Sequence, residues 1–213
     1  MTTMPLLDRR GDWMKPADKL LIADPLAFLV EDHLRHRQIC SFLIANARRP
    51  QPNFETVALA LAFLRHEFLL HDADERASLY PLMHARCEPD DEIELLIQRL
   101  MADHDTAREM AKMVCEILEG ALEGPESLDN EESAQLLAFA DKVKRYITLE
   151  NAIILPLART RLTTEDLATI SKAMLLRRGV VMSSTERVQP RSNTLVEADI
   201  EPNRQRSLEG KVR

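Results

Sequence analysis

Aromatic residues and glycine are scarce in this chain, and their scarcity argues against a β-sheet fold. Phe, Trp and Tyr make up 4% of the 213 residues and there are five glycines, whereas 45% of the residues are hydrophobic and Leu and Ala are frequent among them. Strands favour aromatic and β-branched residues, while Leu and Ala favour helices. The composition therefore predicts an all-α fold.

Cysteines, basic clusters and long apolar runs are also few or missing. Cys40, Cys87 and Cys115 are an odd number with no CxxC pair, which is typical of a reducing cytoplasm. A net charge of −7 without a long Lys/Arg block argues against nucleic-acid binding. The charged N-terminus lacks the apolar core of a signal peptide, and no run is long enough for a membrane span. We expect a soluble, cytoplasmic protein without nucleic-acid or membrane partners.

Apolar residues recur at helical spacing in four long segments and a short fifth one. Capping residues and prolines place the starts of these segments near Asp24, Asn53, Glu88, Asp129 and Thr163. The first segment stops at the prolines of 49–52, the third around 120–125 and the fifth at Gly179. The apolar face of the fourth segment is predicted to contain Leu136, Phe139, Val143, Ile153 and Leu157.

We predict an antiparallel up-down four-helix bundle with a short fifth C-terminal helix, formed by residues 24–179. Residues 1–23 mix charges, prolines and one Trp without periodicity, which indicates a loose lead-in able to dock Trp13. Residues 180–213 contain polar residues, prolines and charges of both signs but no apolar face. We predict that this tail is disordered.

Each apolar stripe contains polar side chains at positions that should face the core. They are His33, His71 with Glu75, His104, and Tyr146 with Glu150. The two pairs have a spacing of four residues, so both members lie on one side of their helix. Burying such a group without a partner costs roughly 2–7 kcal/mol, and more if it is charged. A divalent metal compensates this cost, and mixed imidazole and carboxylate ligands from four helices are typical of paired iron or manganese.

The motifs around these residues resemble those of the hemerythrin-like, or HHE cation-binding, family. His33 stands in EDHLRHR, His71 and Glu75 in LLHDADERASLYP, His104 in MADHDTARE and Glu150 in RYITLENAIILP. In both two-residue motifs a proline, Pro81 or Pro156, follows the Glu by six residues. The resemblance covers roughly residues 24–179. It implies a hemerythrin-type bundle whose cofactor is two iron ions held by these side chains.

One position departs from the family pattern, because Tyr146 stands where the family has the histidine of the fourth helix. A phenolate binds ferric iron, and coordination lowers the pKa of a Tyr well below its free value. Tyr146 therefore either ligates the oxidised metal or only packs in the core. In the second case the site holds one metal only, binds it weakly, or opens to solvent.

Two residues close to the predicted ligands in the sequence are candidates for contacting a ligand without binding the metal themselves. His36 lies one turn beyond His33, but Arg35 and Arg37 beside it suggest a partly solvated position, so we expect an outer contact and not a ligand. Asp74 adjoins Glu75 and either orients a ligand or is an exposed helix acid.

The resemblance implies that the iron pair binds or senses dioxygen or a related small oxidant, nitric oxide or peroxide. An alternative is an enzyme that consumes peroxide or nitric oxide, with Tyr146 as a redox-active ligand or proton donor. A further alternative is a metal-free relict bundle that acts as a protein-interaction module, as the missing histidine suggests.

Overall fold

The computed structural model describes residues 11–47, 54–123 and 128–180, and five helices account for most of them. Helix α1 is Pro25–Asn46, α3 is Ile93–Glu123 and α5 is Thr164–Arg177. Helix α2 is continuous through Phe54–Ala62, Phe63–Glu67, Phe68–Asp74, Glu75–Leu79 and Tyr80–Arg86. Helix α4 is continuous through Asn130–Leu149, Glu150–Ile154 and Leu155–Arg161. The predicted all-α bundle is confirmed.

Contacts between neighbouring helices show that α1 to α4 alternate in direction. In each neighbouring pair, residue numbers rise along one helix as they fall along the other. The contacts are Asp32–His71 and Arg35–Glu67 for α1 and α2, Arg76–Asp105 and His84–Glu94 for α2 and α3, and His33–Asn151 and Arg37–Thr148 for α1 and α4. The bundle is therefore antiparallel and brings the middle of each helix to a common interior.

Most helix starts follow from local capping chemistry. The Asp24 side chain accepts a hydrogen bond from the backbone of Ala27 (3.0 Å), and Asp129 accepts from the first turn of α4. Thr163 and Asp166 form a reciprocal capping box at α5. The predicted starts at these positions are confirmed, whereas the predicted stop at 49–52 and the predicted start near Asn53 lie outside the described residues. Helix α3 is described as far as Glu123, within the stop predicted around 120–125.

The predicted start of the third helix near Glu88 is wrong by several residues. Glu88 and Asp91 cap each other across a short 3-10 turn, Pro89–Asp91, and Glu92 then adopts a left-handed conformation with φ 50°. This conformation interrupts the helical hydrogen bonds, so α3 begins only at Ile93.

The apolar face predicted for α4 is also wrong at one position. Phe139 and Val143 are buried as expected, but Ile153 is 43% exposed and Ile154 is fully buried. The segment Glu150–Ile154 is a π-helical turn, which contains more residues than an α turn and so shifts the register of the side chains that follow.

The described part of the lead-in is packed against the bundle. Trp13 is buried and its ring lies 5.1 Å from the ring of Phe42. Gly11 has φ +76°, and a Cβ there would come within 2.5 Å of the Leu34 Cβ, so close contact with α1 requires glycine. The tail predicted to be disordered lies outside the described residues from 181 onward. In the described part of the chain, no helix combines the length and apolarity of a membrane span.

An ion pair between α2 and α5 leads to a prediction about acid stability. Arg86 donates two hydrogen bonds to the Asp166 carboxylate (2.8 and 2.9 Å), and the Thr163 backbone donates a third. Together they lower the pKa of Asp166 below its usual value. The charged carboxylate is favoured in the folded state, so this stabilisation is present above the unfolded pKa near 3.8 and is lost as pH falls through the lower folded pKa.

We therefore expect Asp166→Asn to lower the free energy of unfolding by about 1 kcal/mol at neutral pH and by less below pH ~3. Urea unfolding at both pH values measures the difference. Asp141→Asn is the control, because its ion pair with Arg145 is exposed and long at 3.5 Å. An equal loss at both pH values would contradict the role assigned to Asp166.

Candidate metal centre

All six residues predicted for the metal site are buried in the interior of the bundle. Helix α1 contributes His33, α2 contributes His71 and Glu75, α3 contributes His104, and α4 contributes Tyr146 and Glu150. None of the six is more than 2% exposed.

The two glutamates occupy equivalent positions in α2 and α4. Glu75 begins the π-helical turn Glu75–Leu79, and Glu150 begins the π-helical turn Glu150–Ile154. Each turn is followed after one residue by a proline, which has no N–H with which to continue the α-helical hydrogen bonds. Such turns are frequent at functional sites. The shared six-residue spacing in the sequence thus reflects a shared local structure.

One group of ligand atoms lies between α1, α2 and α4. His33 Nε2 is 3.1 Å from Glu75 Oε1 and 3.4 Å from Glu150 Oε2. His71 Nε2 is 3.3 Å from Glu75 Oε2. Each of the four residues offers a ligand atom within 4.8 Å of the other three, so they can surround a single cation.

The same two carboxylates also face the histidine of α3. His104 Nε2 is 2.9 Å from Glu150 Oε1 and 3.6 Å from Glu75 Oε2. Glu75 and Glu150 therefore contact imidazoles from three helices, although His104 lies outside the group of four whose ligand atoms are all within 4.8 Å of one another.

Each of the two glutamates has one carboxylate oxygen without a hydrogen bond in the described part of the chain. Glu75 Oε2 and Glu150 Oε2 are buried and accept no hydrogen bond within the described residues. Burial and the neighbouring Glu150 raise the pKa of Glu75 to about 8. For Glu150, burial is outweighed by the hydrogen bond from His104, and the pKa falls to about 2. A divalent cation stabilises both carboxylates in their charged form, so the donor set fits a metal.

In each of the three site histidines, Nδ1, the ring nitrogen that faces away from Glu75 and Glu150, contacts a carboxylate or an amide oxygen. The pairs are His33 Nδ1 with Asn151 Oδ1 at 3.0 Å, His71 Nδ1 with Asp32 Oδ2 at 3.1 Å, and His104 Nδ1 with Asp72 Oδ1 at 3.0 Å. In a neutral imidazole, a hydrogen bond from Nδ1–H leaves Nε2 free to bind a metal, as in most metal-binding histidines. Without a metal, the hydrogen bonds to Asp72 and Glu150 outweigh burial and raise the pKa of His104 to about 10, so its Nε2 also carries a proton.

The sequence reasoning missed these three partners. Asp32, Asp72 and Asn151 each adjoin a predicted ligand in the sequence, which is a usable signal. Each nevertheless serves a ligand on a different helix from its own.

The structure corrects the expectation for His36, which is fully buried and not partly solvated. Its Nδ1 donates to the Asp32 backbone carbonyl (2.8 Å), and its ring centroid lies 4.2 Å from that of His71. Its charged neighbour Arg35 does not bring it into contact with solvent, because Arg35 is itself buried. The Arg35 guanidinium pairs with Asp32 and Glu67, so its charge is compensated inside the protein.

Asp74 is also fully buried, and it faces α5. Its Oδ1 pairs with Arg177 Nη1 and its Oδ2 with Arg178 Nη2, both at 2.7 Å. Asp74 therefore matches neither expectation, because it is not exposed and its carboxylate contacts arginines and not a metal ligand. Successive residues of a helix point about 100° apart, so Glu75 faces the site while Asp74 faces the neighbouring helix.

Two tyrosines lie near His104. The ring of Tyr146 packs on that of His104 with 4.4 Å between centroids. The hydroxyl of Tyr80, which the sequence reasoning did not select, donates to Glu150 Oε1 at 2.5 Å and lies 3.4 Å from His104 Nε2. The signal for Tyr80 was its place before Pro81 in the α2 motif.

A comparison with known families agrees with this geometry. The family model for the hemerythrin HHE cation binding domain matches residues 24–158, which is more than half of the chain. Comparisons with curated proteins and with solved structures found no match. The match spans α1 to α4 with all the histidines and glutamates of the buried cluster, and this chain therefore belongs to the hemerythrin HHE cation-binding family.

Proposed function

We propose that this protein is a non-heme di-iron protein that binds or senses dioxygen or a related small oxidant, such as nitric oxide or peroxide. The observation that supports the proposal best is that the buried carboxylates of Glu75 and Glu150 contact imidazoles from three helices. His33 and His71 would hold one iron and His104 the other, with the two carboxylates shared.

The number of donor atoms leaves room for an external ligand. Three imidazole nitrogens and four carboxylate oxygens provide seven donors, fewer than the roughly twelve positions of two six-coordinate ions. When bound, iron supplies the open positions and the electrons for a small oxidant. The protein residues fix the histidine orientation through their outer partners and keep bulk water away. Because the site is buried, only a small molecule can reach it.

The test is elemental analysis and optical spectroscopy of protein purified without air. We expect about two irons per chain and a visible absorption change when dioxygen, peroxide or nitric oxide is added. Reversal on removal of the oxidant supports binding or sensing. Continuous consumption of the oxidant would instead support an enzyme, and purification without iron would support the metal-free interaction module.

A variant of α3 tests the assignment of the ligands. Among the histidines of the described cluster, His104 alone lies outside the group of four residues that can surround a single cation, so His104→Ala is expected to lower the iron content from about two to about one per chain. His66→Ala is the matched control, because His66 is exposed on α2. Full iron retention in His104→Ala, measured by elemental analysis, would show that the assignment is wrong.

A further inference from the structure

The histidines of the site are distributed unevenly around the carboxylate pair. His33 and His71 form one compact group with Glu75 and Glu150, whereas His104 lies outside this group and contacts the same two carboxylates. The family pattern would supply a second histidine beside His104 from position 146, where this chain has Tyr. Either Tyr146 or another side chain of the interior completes this half of the site.

The Tyr80 hydroxyl lies where such a donor is needed. It is 2.5 Å from Glu150 Oε1 and 3.4 Å from His104 Nε2, and these two atoms are 2.9 Å apart. Donors that bind one six-coordinate ion at about 2.1 Å and at right angles are separated by about 3 Å. The three atoms have the spacing of neighbouring ligands of one cation.

We infer that Tyr80, and not Tyr146, is the phenolic ligand of the iron beside His104; this inference rests on the proposed di-iron function. The contact of Tyr146 with His104 is ring against ring, with 45° between the planes. The contacts of Tyr80 with Glu150 and His104 run through its hydroxyl oxygen.

The local structure of α2 fixes the backbone from which Tyr80 extends. Its N–H bonds to the Glu75 carbonyl and closes the π-helical turn, and Pro81 follows directly. The equivalent residue of α4, after the turn that begins at Glu150, is Leu155, which is also buried. Of the two motif helices, only α2 thus carries a hydroxyl at this position. That hydroxyl lies beside His104, where the described part of the site has a single nitrogen donor.

When Tyr80 binds a cation, it loses its phenol proton. The phenol O–H bond breaks, the oxygen lone pair binds the metal, and the proton leaves to solvent, as is general for protonated ligands of metals. Glu150 then no longer accepts the Tyr80 hydrogen bond and has both oxygens available to the cations.

The experiment compares Tyr80→Phe with Tyr146→Phe in the ferric protein, because both are buried tyrosines whose rings contact that of His104. Ferric wild type is expected to show a visible phenolate-to-iron charge-transfer band. Tyr80→Phe is expected to remove the band and to weaken iron binding beside His104 at least tenfold, whereas Tyr146→Phe keeps both. Iron titration followed by elemental analysis measures the affinity independently of any activity.

A second variant separates ligation from packing. Tyr80→His keeps a donor atom, so it is expected to retain more iron than Tyr80→Phe while lacking the phenolate band. A band that survives in Tyr80→Phe, or that is lost in Tyr146→Phe, overturns the inference. A wild type with two ferric irons and no such band also overturns it but leaves the proposed function standing. A wild type that takes up no iron overturns both.

Discussion

Glu75→Gln is expected to abolish iron binding and, at the same time, to stabilise the metal-free protein. Gln has the size of Glu but cannot carry the negative charge that both cations would share. Without metal, burial and Glu150 raise the pKa of Glu75 to about 8, so wild type must take up a proton there when it folds at neutral pH. This uptake costs free energy that Gln does not require. The contribution of Glu75 to the stability of the metal-free protein should therefore fall as pH rises from about 4.5 to about 8, and Glu75→Gln should lack this pH dependence.

Thermal unfolding of wild type and Glu75→Gln, each with and without iron, measures both effects. At an iron concentration about 100-fold above its Kd, wild type gains about 2.7 kcal/mol, or roughly 5–10 °C in Tm, and the variant gains nothing. Without iron, the variant should be more stable by about 1–3 kcal/mol. Glu109→Gln is the control, since its carboxylate is exposed on α3. If metal-free Glu75→Gln is less stable than wild type, the cost assigned to proton uptake by Glu75 is wrong.

Asp74→Ala is expected to cause a large loss of stability that does not depend on iron. The variant leaves Arg177 and Arg178 without their shared buried carboxylate. Removing one partner of a buried ion pair costs about 3–5 kcal/mol, whereas removing an exposed pair costs at most about 1 kcal/mol. Urea unfolding measures the loss, and hydrogen exchange should show that protection falls most in α5.

Asp141→Ala is the matched control for this variant, because Asp141 and its partner Arg145 are both exposed. The folded Asp74→Ala protein should retain its iron, since its carboxylate faces α5 and not a histidine. A loss of stability as small as that of Asp141→Ala would refute the buried ion pair, and a loss of iron from folded protein would return Asp74 to the metal site.

Features that depend on short stretches of sequence were predicted well. The starts at Asp24, Asp129 and Thr163 follow from side chains that cap backbone groups a few residues away. Burial of the histidines and glutamates follows from their place in apolar stripes. Ile153 was assigned wrongly because α-helical periodicity does not register a π-helical turn.

Features that depend on contacts between helices could not be predicted from spacing alone. Arg35 made His36 look solvated, and only the fold brings Glu67 and Asp32 to compensate its charge. Tyr80 was not selected as a site residue, because nothing in its own helix shows that its hydroxyl reaches Glu150.

The outer partners of the histidines have a consequence for moving this site into another protein. Asn151 of α4 orients His33 of α1, Asp32 of α1 orients His71 of α2, and Asp72 of α2 orients His104 of α3. A single helix transplanted into a foreign scaffold would bring its ligand but leave behind the residue that aligns it. The smallest portable unit is therefore the four helices together, in their native order.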